Sequence, residues 1–188
     1  MNKVESMDRA KLRLLLQEHH CAAFGWALFC SRGDRDEAED LLQSVYLSLL
    51  EKGARFSGRS SFKTWLFAVI RNRALKRRHR LAIQFERMKN LFAIDSAPEH
   101  QEREVLRTEL RARVESLLED LSGRQREVIQ LVFYHELTVE EAAGVMGVSI
   151  GSARTHYDRG KKRLKDAMQK AGIGNEYEKG RYSDKAAV

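Results

Sequence analysis

Proline is almost absent from this chain of 188 residues, with Pro98 its one instance, and its 12 glycines form no long low-complexity run. A collagen-like chain and a wholly disordered one are excluded on that ground. Strand signals are missing too: the periodic segments repeat at three or four residues, never at two, so an all-α fold is expected. No window approaches the ~18 uninterrupted apolar residues of a membrane span, so no membrane insertion is expected. The opening Met-Asn-Lys-Val-Glu-Ser lacks the charged-then-apolar order of a secretory leader. A cytoplasmic protein is the expectation.

Cysteine is scarce as well, and Cys21 and Cys30 are the only two. On one continuous helix they would lie about 13 Å apart along the axis, too far for a disulfide. The run His19-His20-Cys21 offers metal-ligating side chains, but adjacent helical residues point about 100° apart and do not converge on one ion. These residues read as helix filler. No metal and no cofactor is expected.

What is present is charge, unevenly placed. Charged residues make up 32% of the chain and the net charge is +7. The whole excess lies before residue 96, and the remainder is balanced. Six of the cations fall within Arg71-Asn-Arg-Ala-Leu-Lys-Arg-Arg-His-Arg80. A basic block continuous with an apolar helix is a rigid footprint suited to phosphate, which points to nucleic acid. Upstream, Asp34, Asp36, Glu37, Glu39 and Asp40 form an acidic group that suits a helix N-terminus.

The periodicity predicts a first helix from about Asp8 to Phe29, with Leu12, Leu15, Leu16, His19, Ala22, Ala23 and Trp26 on its apolar stripe. A turn at Ser31–Asp34 precedes a second helix, whose stripe is Ala38, Leu41, Leu42, Val45 and Leu49. After a loop around Arg55–Ser61, a third helix is expected to Arg80, burying Phe62, Trp65, Leu66, Val69 and Ile70. Residues 82–106 read as a linker, broken by Asp95-Ser-Ala-Pro98 and carrying a small amphipathic patch at Phe85, Met88, Leu91 and Phe92. The second half predicts a helix over 107–121. Capping boxes follow at Ser122–Gln125, opening a helix with Val128, Leu131 and Val132, and at Thr138–Glu141, opening a short helix that stops at Gly147. Ser149 caps a last helix with Ile150, Ala153, Tyr157, Leu164 and Met168 inward. A tail over 171–188 reads as loose.

Ala143, Gly147 and Ala153 carry the functional signal. A helix-turn-helix needs a small residue where its helices meet, a residue tolerant of positive φ in the turn, and a modest apolar residue inside the second helix. The outer face of that second helix is Ser152, Arg154, Thr155, Asp158, Arg159 and Lys162. Arginine and threonine can read base edges in the major groove, while lysine and more distal arginines hold phosphate.

Leu121-Ser-Gly-Arg-Gln-Arg-Glu-Val-Ile-Gln-Leu, with Leu137-Thr-Val-Glu-Glu-Ala-Ala and Val148-Ser-Ile-Gly-Ser-Ala-Arg, resembles the −35-reading domain of bacterial sigma factors. Asp36-Glu-Ala-Glu-Asp-Leu-Leu-Gln43 and Phe56-Ser-Gly-Arg-Ser-Ser-Phe-Lys-Thr-Trp-Leu66 resemble their −10-reading domain. Both together, in this order and in so short a chain, resemble the extracytoplasmic-function group. The resemblance implies two small helical domains, region 2 over 1–81 and region 4 over 107–170.

It also implies roles. Asp40, Leu41, Gln43 and Ser44 fall where the family docks on the clamp of core RNA polymerase, and Ser44 stands where relatives often carry an acidic residue. Phe56, Arg59, Ser60, Ser61 and Lys63 match the part that captures a flipped −10 base, with Arg71, Asn72, Lys76 and Arg77 along the opening strand. Trp65 belongs to the family's Thr-Trp-Leu signature and reads as a core residue. Ser152, Arg154, Thr155, Asp158, Arg159 and Lys162 match the −35-reading positions, where a carboxylate such as Asp158 favours only a cytosine contact. The implied partners are core RNA polymerase, through its clamp and flap, promoter DNA and an anti-sigma protein. The chain would then be nucleoid-associated when active.

Two rival readings stand beside this one. An autonomous helix-turn-helix regulator, binding duplex DNA as a dimer, shares the second domain but gives no reason for the Asp40–Gln43 and Thr64-Trp65 motifs. An enzyme would need a nucleophile with a base or clustered carboxylates. The only such cluster, Asp34–Asp40, is explained by helix capping, so no enzymatic activity is expected.

Overall fold

The structure, a computed structural model, describes residues 8–52, 56–92 and 120–170. Among the described residues there are seven α-helices, one π-helical turn and no strand. They form two compact units, the first carrying 8–92 and the second built on 120–143 and 148–170. The helix expected over 107–121 lies outside the described residues except for its last two positions. The linker beyond residue 92 and the tail from 171 lie outside them too.

The first unit begins with α1 (Arg9–Glu18) and α2 (His20–Cys30), where the sequence predicted one helix. The break is at His19, whose φ of −97° and ψ of 8° bend the chain. Hydrogen bonds from His19 N–H to the Leu15 carbonyl and from Ala23 N–H to the His19 carbonyl bridge the bend. The apolar stripe therefore runs through it unbroken, and periodicity alone cannot reveal it. At the bend the His19 ring stacks on Phe62, with centroids 5.7 Å apart.

Trp26 is fully buried and ties α2 to the third predicted helix. Its indole Nε1–H donates to the Phe67 carbonyl at 3.0 Å, and its ring stacks between Phe29 and Phe67. A buried indole needs such a partner, because an unmet N–H costs about 1–3 kcal/mol.

The turn after α2 uses two left-handed residues, Arg32 at φ 55° and Gly33 at φ 87°. Asp34 then caps α3 (Arg35–Lys52), its Oδ1 accepting the Glu37 N–H at 2.9 Å. All five predicted stripe residues of α3 are buried, namely Ala38, Leu41, Leu42, Val45 and Leu49.

Ser61 caps α4 (Phe62–Phe92), accepting the Thr64 N–H at 3.1 Å and sharing a hydrogen bond with the Thr64 hydroxyl at 2.7 Å. Phe62, Leu66, Phe67, Ile70 and Ala74 form its buried face. Trp65 and Val69 are half-buried rather than core, because that face is rotated toward Phe67. The helix also runs on to Phe92, past the expected end at Arg80. Nothing between Leu81 and Phe92 breaks it, since proline and glycine are absent there.

The second unit contains α5 (Gly123–Ile129), a π-helical turn at Gln130–Tyr134, α6 (Val139–Met146) and α7 (Ile150–Lys170). Both capping boxes form. Ser122 Oγ accepts from Gln125 N–H while Gln125 Oε1 accepts from Ser122 N–H, and Thr138 and Glu141 reciprocate in the same way. Gly160 is buried where α7 crosses α5: a Cβ there would meet Ile129 Cδ1 at 2.9 Å and Gln125 Cβ at 3.2 Å.

Candidate nucleic-acid interface

The turn between α6 and α7 has the geometry its residues predict. Ala143 and Ala153 are buried, and Gly147 adopts φ 65°, a conformation that costs other residues about 1–2 kcal/mol. The Val148 N–H donates to the Ala143 carbonyl at 3.1 Å and closes α6. Ser149 Oγ accepts the Ser152 N–H at 3.1 Å and opens α7. This is a helix-turn-helix.

On α7 the residues expected to face DNA share one exposed face: Ser152, Arg154, Thr155, Asp158, Arg159 and Lys162. Two of them are engaged locally. Arg154 donates from a terminal guanidinium nitrogen to Glu140 Oε1 at 3.1 Å, and Thr155 Oγ1 donates to the Gly151 carbonyl at 2.9 Å. A shallow, open depression lined by Ser149, Gly151, Ser152, Thr155 and His156 marks the start of the helix. Ile150 was expected inside, but it is half exposed, because it is the first residue of α7 and precedes the packed face. Tyr157 is half-buried and stacks on Phe133 of the π-helical turn at 5.9 Å, with the Lys161 ammonium 5.9 Å from its ring centroid.

In the first unit the α4 basic block divides. Arg71 was expected on a DNA phosphate, yet it is only 7% exposed and belongs to the interior. The helix turns it to the same side as Phe67 and Ala74. Arg73 donates to the Ser44 carbonyl at 3.1 Å. Arg77, also expected on DNA, lies 3.7 Å from Glu37 Oε1 and 3.8 Å from Asp40 Oδ2. That leaves Asn72, Lys76 and Arg80 at four-residue spacing along one exposed face, with His79 beside them.

The loop before α4 keeps Arg59, Ser60 and Ser61 exposed, and Lys63 follows on the first turn. The Ser61 hydroxyl is occupied by its capping bonds, and Ser60 Oγ donates to the Ser61 carbonyl at 3.3 Å. Phe56 is half-buried, meeting Phe62 edge-on at 5.7 Å and Trp65 at 5.5 Å. These aromatic contacts anchor the loop on α4.

The outer face of α3 presents Asp36, Glu39, Asp40 and Gln43. Leu41 is not part of it: at 1% exposure it packs in the core, one position round the helix from the exposed carboxylate, and offers nothing to a partner. Ser44 is half-buried, and its hydroxyl donates to the Leu41 carbonyl at 2.8 Å. Sequence reasoning passed over Leu47, which is 52% exposed one turn beyond Gln43 on the same face. Its signal was present, since a leucine four residues after an exposed glutamine continues the outer stripe. Phe133 and Tyr134, also missed, are 58% and 68% exposed.

Among the described residues no group of three or more His, Cys, Asp or Glu is placed to hold a metal ion, and no helix is long and apolar enough to cross a membrane.

Comparison with known proteins bears on both units. Residues 15–82 match the family description sigma-70 region 2, and residues 111–164 match sigma-70, region 4. The ECF RNA polymerase sigma factor SigX of Bacillus subtilis is 29% identical over 163 residues, covering 84% of this chain and 83% of that protein. The ECF RNA polymerase sigma factor SigC of Mycobacterium tuberculosis is 29% identical over 142 residues, 74% of each chain. Among solved structures, the sigma factor RpoE from Bartonella quintana, in complex with the anti-sigma factor NepR, superposes with a TM-score of 0.65 at 26% identity. That match covers 85% of this chain and 97% of that one. With a region 2 unit ahead of a region 4 helix-turn-helix and relatives aligned across both, the chain belongs to the sigma-70 family, in its extracytoplasmic-function (ECF) group.

Proposed function

We propose that this alternative sigma factor, which directs promoter-specific transcription initiation by core RNA polymerase, works through three separate faces. The α3 face docks on the polymerase clamp. Asp40 and Gln43 supply charge and amide contacts there, and Leu47 supplies the apolar one. Exposed Phe133 and Tyr134 give the second unit an apolar surface suited to the polymerase flap.

The loop carrying Arg59 and Ser60, with Lys63, Asn72 and Lys76 along α4, holds the −10 strand. Extruding a base costs a few kcal/mol, which such contacts must return through hydrogen bonds and stacking. Asn72, Lys76 and Arg80 recur about once per turn on the exposed side of a single helix, and this supports phosphate tracking. The α7 face reads the −35 element, with Ser152, Arg154 and Thr155 nearest the helix start, and with Asp158, Arg159 and Lys162 further along.

The polymerase supplies the chemistry, and this chain acts without catalytic groups of its own. It works in the cytoplasm and joins the nucleoid when active. An anti-sigma protein holding it inactive is part of the proposal, supported by the RpoE relative, whose structure is described with one.

The observation that carries the reading is the presence, in one chain, of both a region 2 unit and a region 4 unit. The test is run-off transcription from genomic fragments with core polymerase and this chain. A defined subset of fragments should be transcribed only when the chain is added, and that subset should change when Arg154→Ala replaces the wild type. Transcription of no fragment above core alone would overturn the proposal.

A further inference from the structure

We propose that Glu140 is a positioning residue for base selection, fixing the Arg154 guanidinium from the neighbouring helix; this rests on the reading of α7 as the −35-contacting helix. The contact is a 3.1 Å charge-assisted hydrogen bond between residues 14 positions apart on different helices. It is therefore a product of the helix-turn-helix geometry and not of one helix's own spacing. Its two side chains are 64% and 51% exposed, so both lie within reach of a groove.

The backbone on either side is fixed. Glu140 sits in the first turn of α6, which the reciprocal Thr138–Glu141 bonds at 3.0 and 3.1 Å hold in place. The turn to α7 is set by Gly147 and the Val148–Ala143 hydrogen bond, with Ala143 and Ala153 buried against it.

A guanidinium has five donors in a rigid fork. Committing one terminal nitrogen to Glu140 restricts the swing of that fork and leaves its other donors for a base edge. An exposed arginine without such a tether can swing to a phosphate, which carries no sequence information. Glu140 thus weakens sequence-independent binding while orienting Arg154, and specificity is the difference between the two.

The experiment uses holoenzyme reconstituted from the full chain and core polymerase. One readout is sequencing of promoter fragments selected from a library randomised over the −35 element. The other is the salt dependence of binding to one fixed, unselected duplex. Arg154→Ala should flatten the base preference at one position. Glu140→Ala should lower preference at that same position about two- to fivefold. It should also steepen the log–log salt slope on the unselected duplex by up to about one unit, because Arg154 then reaches a phosphate. Glu140→Gln, which keeps the acceptor oxygen, should retain more of the preference. In an Arg154→Ala background neither Glu140 change should move either readout.

If Arg154→Ala flattens a position and Glu140→Ala leaves both readouts at wild type, the positioning role is overturned while the −35 reading stands. It is equally overturned if the Glu140 effect persists without Arg154. If Arg154→Ala alters no position, the reading of α7 falls, and this proposal with it.

Discussion

Arg77 lies 3.8 Å from Asp40, so a cation of the α4 basic block is engaged with a carboxylate of the outer α3 face. Glu37 completes the arrangement from 3.7 Å. The two helices are thus joined on their polar side by the residues whose sequence positions suggested separate partners, polymerase for one and DNA for the other. A partly exposed pair of this kind contributes at most about 1 kcal/mol to stability. Its larger effect is on what each charge has left to offer.

The cations of α4 should therefore differ in their effect on promoter binding. Lys76→Ala removes an exposed charge and should lower the log–log salt slope of holoenzyme–promoter binding by about one unit. Arg77→Ala should lower it by clearly less, since Glu37 and Asp40 already balance that charge. Arg71→Ala should act on folding instead, with a lowered unfolding midpoint, because the residue is buried. Equal slopes for Lys76→Ala and Arg77→Ala would contradict the division.

Docking on the polymerase gives a second separation. Asp40→Ala with Gln43→Ala should weaken core binding and lower stability by no more than the ~1 kcal/mol of the Arg77 pair, and Leu47→Ala should weaken core binding with unfolding unchanged. Leu41→Ala removes a core side chain and should cost about 2–5 kcal/mol of stability. Isothermal titration against core enzyme, beside denaturant unfolding of each variant, distinguishes the two classes. Undiminished core binding by the Asp40/Gln43 double variant would move the docking face elsewhere.

How much of this was legible in the sequence depends on range. The α3 stripe and the caps at Ser122, Thr138 and Ser149 were readable because each is decided within a few residues by periodicity or by one side chain bonding a nearby backbone N–H. The helix-turn-helix triplet was readable for the same reason, as Gly147 alone sets the turn. The errors lie where a position in a motif says nothing about direction. Leu41 and Arg71 sit inside the polymerase and DNA motifs in sequence, yet their helices turn both inward. The bend at His19 leaves the stripe intact, and the π-helical turn at Gln130–Tyr134 shifts Phe133 and Tyr134 outward without breaking the apolar pattern. The pairs Arg77–Asp40 and Arg154–Glu140 join different helices, and only the folded chain brings them together.

The second unit should be sensitive at two glycines for different reasons. Gly147→Ala forces a Cβ into the left-handed region and should cost about 1–2 kcal/mol. Gly160→Val places atoms against Ile129 and Gln125, where even a Cβ meets Ile129 at 2.9 Å, and overpacking of this kind costs about 1–3 kcal/mol. Gly160→Ala should be milder, because the end of the Ile129 side chain can move. Chemical denaturation followed by circular dichroism measures all three. Full stability in Gly160→Val would contradict the close crossing of α5 and α7.

Tyr46 supplies a prediction in alkali. Burial, and secondarily the negative charge of Cys21, push its phenol up from 10.0 to about 12. Between those values the unfolded chain has released a proton that the native chain keeps. Stability therefore falls as pH rises from about 10 to 12, and is unaffected by this group below 10. Tyr46→Phe should flatten that part of the stability–pH curve. At pH 11, phenolate absorbance should be larger by about 0.8 of a tyrosine in unfolded than in folded samples. Ionisation of Tyr46 near 10 in the native state would contradict its burial beside Cys21.

The most direct test of the central claim is titration of the labelled full chain with bacterial core RNA polymerase in the absence of DNA. Saturable nanomolar binding is the predicted result, lost when Asp40 and Gln43 are both replaced by alanine. No binding to core enzyme, together with tight binding to duplex DNA by the chain alone, would contradict the account and leave an autonomous helix-turn-helix regulator in its place.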